Sequence, residues 1–175
     1  MPLLDSLAPI TVETPDGATR PLGDVLGGKR TVLVFIRHYG CIFCREQVDR
    51  FKTALPHIHG RGYELIVIGQ GRAAHARAFV DESHIDFPVY ADSSLEAFQA
   101  AGLRRSVART MLDPRVWWRA LGAIKDGFSV RRVAGDPWQN GGVFVIDGDG
   151  NERFRHISRF AGDHPPMDAV IGALV

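Results

Sequence analysis

Cys41 and Cys44 are the two cysteines of the chain, and they stand as Cys41-Ile42-Phe43-Cys44 directly after the apolar run Thr31 to Ile36. Two thiols at this spacing, at the opening of a helix, point to thiol and disulfide chemistry. The unpaired amides and positive pole of a helix N-terminus stabilise a thiolate. On a helix starting at Cys41, the residues Cys41, Cys44, Val48, Phe51 and Leu55 recur at spacings of three and four and share one face, which is expected to pack on a sheet. The same spacing brings the two sulfurs within disulfide range. Cys41 is expected in the exposed first turn and Cys44 one turn deeper, which makes Cys41 the attacking thiolate and Cys44 the resolving thiol. Gly40 allows the turn before the helix at no steric cost. Arg37, His38 and Arg45 place positive or protonatable groups nearby, and Ile42 and Phe43 bring no side-chain donor, so the thiolate must rely on backbone amides and these cations.

Two blander uses of the pair weigh less. Small buried hydrophobes need no such placement at a helix start. A zinc site needs four ligands, and the chain offers no second CxxC and no spaced histidine pair on a matching loop, so no metal is expected. His57-Ile58-His59 reads as a solvated helix end before Gly60. Composition sets the frame: 175 residues, 45% hydrophobic, with a net charge of +1, suit one domain with an ordinary core. Near-neutral charge argues against a nucleic-acid binder. Met1 to Ile10 lacks the basic start and apolar stretch of a leader, so a cytoplasmic location is expected. In a reducing compartment a lone cysteine pair is more often catalytic, redox-sensing or metal-binding than a structural staple.

The elements that must position the pair alternate. Thr31 to Ile36, Glu64 to Gly69 and Phe87 to Tyr90 are short apolar runs with the pattern of central strands, separated by helix candidates at Cys41 to Leu55 and Arg72 to Ser83. This βαβαβ order implies a parallel sheet with right-handed crossovers. Gly142 to Ile146 and Glu152 to Ile157, joined by Asp147-Gly148-Asp149-Gly150, predict an antiparallel hairpin, and Met167 to Leu174 a last helix. The sum is an α/β, thioredoxin-like fold: a mixed central sheet with helices on both faces in a single domain over residues 1–175. Ile10 to Pro21, turning at Pro15-Asp16-Gly17, predicts an N-terminal β-hairpin extension.

Residues 103–139 are expected to be a helical insertion that the basic fold does not need. Asp113-Pro114 predicts an N-cap with proline at the first helical position, leading into Arg115 to Lys125. Between Arg104 and Arg132 eight Arg or Lys stand against Asp113 and Asp126. Trp117, Trp118, Leu121 and Ile124 give that helix an apolar stripe whose first reading is core packing. Its functional readings are a lid over the thiols, a homodimer contact, or an anionic-substrate or membrane-surface patch. Trp138 precedes the loop that faces the CxxC and is expected near it.

The stretch Val34-Phe-Ile-Arg-His-Tyr-Gly-Cys-Ile-Phe-Cys-Arg-Glu-Gln47 resembles the peroxiredoxin-like branch of the alkyl hydroperoxide reductase and thiol-specific antioxidant superfamily. So do Val67-Ile68-Gly69, Phe87 to Asp92, Gly141 to Ile146 and Gly162-Asp163-His164. The resemblance implies a thioredoxin fold and thiol-dependent antioxidant activity. It also implies two departures. The family's threonine three residues before its peroxide-attacking cysteine falls on Cys41, which makes Cys44 the matching attacking position, against the exposure argument. The second arginine of the peroxide site falls on Gly141, and its absence weakens polarisation of a peroxide. Where thioredoxins carry a proline beside the disulfide, Gln139-Asn140-Gly141-Gly142 takes its place, which adds Gly141 and Gly142 to the active-site loop. Arg155, His156 and His164 match the branch's pattern and read as structural.

The expected function is an enzyme whose CxxC dithiol reduces a peroxide or a disulfide, after which an external thiol reductant of thioredoxin or glutathione type reopens the Cys41–Cys44 disulfide. The alternative is a thioredoxin-fold redox sensor or binding module that oxidises once without turnover. Electrons pass through sulfur and no glycine-rich dinucleotide fingerprint follows a strand, so no cofactor is expected.

Overall fold

The computed structural model describes residues 2–103, 105, 136 and 138–175. Seven strands form one mixed sheet: β1 (Thr11–Glu13), β2 (Thr19–Pro21), β3 (Thr31–Ile36), β4 (Glu64–Gln70), β5 (Val89–Asp92), β6 (Gly142–Ile146) and β7 (Glu152–Ile157), in the order β2-β1-β5-β4-β3-β6-β7. The centre, β3, β4 and β5, is parallel. β6 and β7 add antiparallel on one side and the β1–β2 hairpin on the other. Every residue of β3 is buried, because its period-two alternation feeds two cores at once. Val32, Val34 and Ile36 face one layer, and Leu33 and Phe35 the other.

Helices α3 (Ile42–Gly60), α4 (Ala73–Ser83) and α6 (Met167–Gly172) cover the first layer with Val48, Phe51, Ile58, Phe79 and Val170. Helices α1 (Leu3–Leu7), α2 (Leu22–Leu26) and α5 (Glu96–Ala100) cover the second with Leu7, Leu22, Leu26 and Phe98. There Phe35 sits edge-on against Phe98 at 5.1 Å and Phe144 at 5.8 Å between ring centroids. Each such buried ring contributes on the order of 2 kcal/mol.

Strands β3, β6 and β7 match their expected bounds. Elsewhere the structure departs from expectation for physical reasons. β5 begins at Val89 rather than Phe87, since Pro88 has no amide to give the ladder and serves through its carbonyl, which accepts from Val67 N–H at 3.0 Å. α3 continues past Leu55 and through Pro56 to Gly60 because Ile58, fully buried, anchors its last turn; His57 and His59 are exposed at that end. The N-terminal hairpin is part of the main sheet, with Glu13 paired to Ala91. α1, α2 and α5 are too short to show a helical period in sequence. The expected helix from Arg115 to Lys125, with Asp113-Pro114 and the tryptophans 117 and 118, lies outside the described residues. Among the described residues no helix is long and apolar enough to cross a membrane.

Candidate active site

β3 delivers the chain to the thiols. It ends at Ile36, and residues 37–40 turn into α3, closed by the Cys41 N–H on the His38 carbonyl at 3.1 Å. Cys41 is the N-cap, with extended backbone angles of −75° and 125°, and its carbonyl accepts the first helical hydrogen bond from Arg45 N–H at 3.1 Å. Tyr39 pins the turn from below: its hydroxyl donates to the carbonyls of Tyr90 at 2.7 Å and Gly69 at 3.2 Å. Its ring lies so close to Gly69 that a Cβ there would stand 2.5 Å from it. The residues sharing a face of α3 are placed as the spacing predicts, with Cys44, Val48 and Phe51 buried and Leu55 partly buried against the same core.

The expectation of an exposed Cys41 is corrected. Cys41 is 6% exposed and Cys44 1%, and the whole turn from His38 to Cys44 is buried. The order of depth holds while both sulfurs are sheltered. Part of the cover is the loop after β7, where Gly162, at φ +83°, lies flat on Phe43; a Cβ there would stand 3.1 Å from that ring. His164 shares a hydrogen bond of 3.0 Å between its Nε2 and the Phe43 carbonyl, tying this loop to the backbone between the cysteines.

Both cysteines are free thiols, and their environments push them apart. The Cys44 thiol donates to Cys41 sulfur, and this bond is the main reason that Cys41 falls from the usual thiol range to about 6. Burial opposes the fall. The Arg37 guanidinium supports it, with Nη1 at 3.8 Å from Cys41 Sγ. The sulfur makes no capping hydrogen bond at full geometry, but the amides of Cys44 and Phe43 still favour its negative charge. Burial first, and then the bond to its partner, drive Cys44 well above the ordinary thiol range. One sulfur is thus set up as a thiolate and the other as a proton-bearing donor.

The three expected cations differ. Arg37, buried, places its guanidinium on Cys41 while its Nε donates to the Gln139 carbonyl at 3.1 Å. His38 is corrected as a charge: burial, reinforced by Arg37, pushes its imidazole down to about 4, so it is neutral at neutral pH. Arg45 is corrected too. It faces α4, where Nη2 pairs with Glu82 Oε2 at 2.8 Å and the guanidinium lies 5.4 Å from the Phe79 ring centre, so its charge is directed to α4 rather than to the sulfurs.

The active-site loop sits flush against β3. A Cβ at Gly141 would stand 2.2 Å from the Phe35 carbonyl oxygen, and one at Gly142 2.8 Å from both the His156 carbonyl oxygen and Leu103 Cδ2. Gly40 is buried in the turn before Cys41. Trp138 is corrected: it lines a groove with Leu95, Gln99 and Leu103, and Leu103 belongs to the second core layer, across the sheet from the thiols. Arg155 pairs with Glu152 at 2.6 Å, and His156 Nε2 shares a 3.0 Å hydrogen bond with the Asp163 carbonyl. His164 and Gln139 are the site contacts that sequence reading undervalued. Their signals, Gly162-Asp163-His164 and the segment before Gly141, are visible only as loop residues.

Comparison with known proteins agrees with this fold. A family described as AhpC/TSA antioxidant enzyme matches residues 50–159, which starts beyond Cys44. Peroxiredoxin-like 2C of Homo sapiens is 29% identical, with 97% of this chain and 79% of that protein covered. Thioredoxin-like protein AAED1, chloroplastic, of Arabidopsis thaliana is 27% identical over 97% of this chain and 71% of its own length. The crystal structure of peroxidoxin BcpB from Mycobacterium tuberculosis superposes with a TM-score of 0.70 over 97% of this chain and 94% of that one, at 16% identity. That likeness establishes the thioredoxin-like α/β fold.

Proposed function

The chain belongs to the AhpC/TSA antioxidant enzyme family and is an oxidoreductase, and on that premise we propose that Cys41 and Cys44 are the redox-active pair of a peroxide-reducing dithiol enzyme. The observation that carries this reading is the charge arrangement at the pair: a Cys41 sulfur held by the Cys44 thiol and by Arg37, beside a Cys44 that keeps its proton.

The Cys41 thiolate attacks the terminal oxygen of a hydroperoxide. The O–O bond breaks, the alkoxide leaves and takes up a proton to become an alcohol, and Cys41 becomes a sulfenic acid. Arg37 Nη1, close to the sulfur, is placed to hydrogen-bond the oxygens as charge moves onto them. Cys44 sulfur then attacks Cys41 sulfur, hydroxide leaves with the Cys44 proton as water, and a Cys41–Cys44 disulfide forms. An external thiol reductant, of thioredoxin or glutathione type, supplies two electrons and two protons to restore the dithiol. The lowered Cys41 favours it as the attacking atom over Cys44, the position the family pattern would select.

Reduction of disulfides by the same pair is a second reading, favoured by Gly141. The place of the family's second peroxide-site arginine is occupied by a glycine with no room for a side chain, so polarisation of a peroxide rests on Arg37.

The test is intact mass and free-thiol count of the reduced protein after one equivalent of hydrogen peroxide, with Cys41→Ser and Cys44→Ser alongside. The expected result is rapid loss of both thiols in the natural protein and trappable sulfenic acid in Cys44→Ser but not in Cys41→Ser. Sulfenic acid in Cys41→Ser alone would reverse the roles. Thiols as long-lived as free cysteine would move disulfide reduction to the front, and oxidation without turnover when a thiol reductant is added would indicate a sensor.

A further inference from the structure

Gln139 is 2% exposed and bonded at both ends. Its carbonyl accepts from Arg37 Nε at 3.1 Å. Its side-chain Nε2 donates to the Leu103 carbonyl at 3.2 Å and the Asn140 carbonyl at 3.1 Å. Its backbone bridges to Arg105, and its N–H donates to the Asp136 carbonyl at 3.3 Å. We propose that Gln139 is a positioning residue of the thiol site, whose carbonyl orients the Arg37 guanidinium onto Cys41 Sγ and whose side chain fixes that carbonyl.

The role follows from the shape of the arginine fork. A guanidinium is planar, so a bond at Nε fixes the plane and with it the reach of Nη1. With Nε held by Gln139, Nη1 stands 3.8 Å from the sulfur. That bond restricts rotation about the last torsions of the side chain and so helps to hold the charge at the sulfur. The carbonyl cannot wander, because the Gln139 amide ties it to Leu103 and because Gly141, two residues on, lies against Phe35. A residue facing the second core layer thereby sets a distance in the first.

This role rests on the reading of Cys41 as the attacking thiolate, so its test reads the thiolate and not turnover. In a Cys44→Ser background, which leaves one thiol, absorbance at 240 nm against pH reports Cys41 in the parent, in Gln139→Met, in Arg37→Met and in the double variant. The acid dissociation constant of Cys41 should fall about threefold to tenfold in Gln139→Met. The double variant should fall no further than Arg37→Met, because Gln139 acts through Arg37. Gln139→Asn keeps an amide on a shorter stem, should lie between parent and Gln139→Met, and serves where Gln139→Met does not fold. An unchanged titration in either folded variant overturns the role, and so do effects that add in the double variant. In the natural protein, with the Cys44 thiol in place, a Cys41 whose alkylation follows the ordinary thiol range overturns the reading of Cys41 itself.

Discussion

Gly141 and Phe35 approach so closely that a Cβ on the glycine would stand 2.2 Å from the Phe35 carbonyl oxygen, a backbone atom in the centre of the sheet. The contact explains why the segment before β6 lies flat across the end of β3 and why an arginine is not simply missing at this place. Installing one forces the loop off the strand. Gly141→Arg should therefore cost about 3 kcal/mol or more in urea unfolding, in the range of severe overpacking, without accelerating peroxide consumption. An arginine variant with the stability of the natural protein and faster peroxide turnover would show that the loop yields and that the close contact does not shape the chemistry.

Cys41 and Cys44 should be separable by pH. With Cys41 lowered to about 6 and Cys44 raised, the thiolate fraction at Cys41 rises as pH passes through about 6 and is nearly complete above about 7.5. The rate of alkylation by iodoacetamide at limiting reagent should follow that curve, and peptide mapping should place the first adduct on Cys41. A rate still climbing above pH 9, or a first adduct on Cys44, would assign the reactive thiolate to the deeper sulfur.

His38 should matter to acid stability and little to the thiolate. Its folded value of about 4 lies below the ordinary histidine value of 6.5, so the unfolded chain binds the proton more readily. The stability that His38 contributes is present above pH 6.5 and is lost as pH falls through about 4. Between pH 7.5 and 4.5 the natural protein should lose about 2 kcal/mol more than His38→Gln, measured by urea unfolding at each pH, while the Cys41 titration stays nearly unchanged. A titration in His38→Gln that moves as far as in Arg37→Met would return His38 to the role of a cation beside the sulfur.

Asp92 closes the end of β5 and opens α5. Its Oδ1 accepts from the amides of Ser94 at 3.0 Å and Leu95 at 2.9 Å and from the Ser94 hydroxyl at 2.7 Å, and its Oδ2 accepts from Ala97 N–H at 2.9 Å. With Asp92 2% exposed, Asp92→Ala leaves buried donors unpaired and should cost about 2 to 3 kcal/mol. A loss below about 0.5 kcal/mol in urea unfolding would mean that water or the serine takes over the cap.

Much of this was legible in the chain, and the rest was hidden for identifiable reasons. β3 and β6 are continuous apolar runs, and the cysteines follow β3 at helical spacing, so these strands and the placement of both cysteines at the start of α3 could be read from the sequence pattern. α5 escaped notice because its five residues are organised by Asp92, a cap that periodicity does not reveal. The contacts on Phe43, between the cysteines, come from Gly162 and His164, more than a hundred residues away. The direction of Arg45 depends on Glu82, a partner chosen by packing between α3 and α4. Charge type could be counted from sequence, whereas the assignment of Arg37 rather than His38 or Arg45 to the sulfur is a matter of three-dimensional reach.

Arg37 finally links acidity to redox potential, and the two must move together. Its charge favours the thiolate, which exists only in the reduced form, so it stabilises the dithiol relative to the disulfide and makes the disulfide the stronger oxidant. Arg37→Met should raise Cys41 by about one pH unit and, at pH 7.5, lower the potential of the pair by about 25 mV, the equivalent of just over 1 kcal/mol. Below pH 5, where Cys41 is protonated with or without the arginine, the difference in potential should vanish. Equilibration with glutathione at pH 5 and 7.5, beside a thiolate titration, measures both quantities. A potential difference that persists at pH 5 would mean that Arg37 acts on the disulfide or on the fold around it, and not through the charge of Cys41.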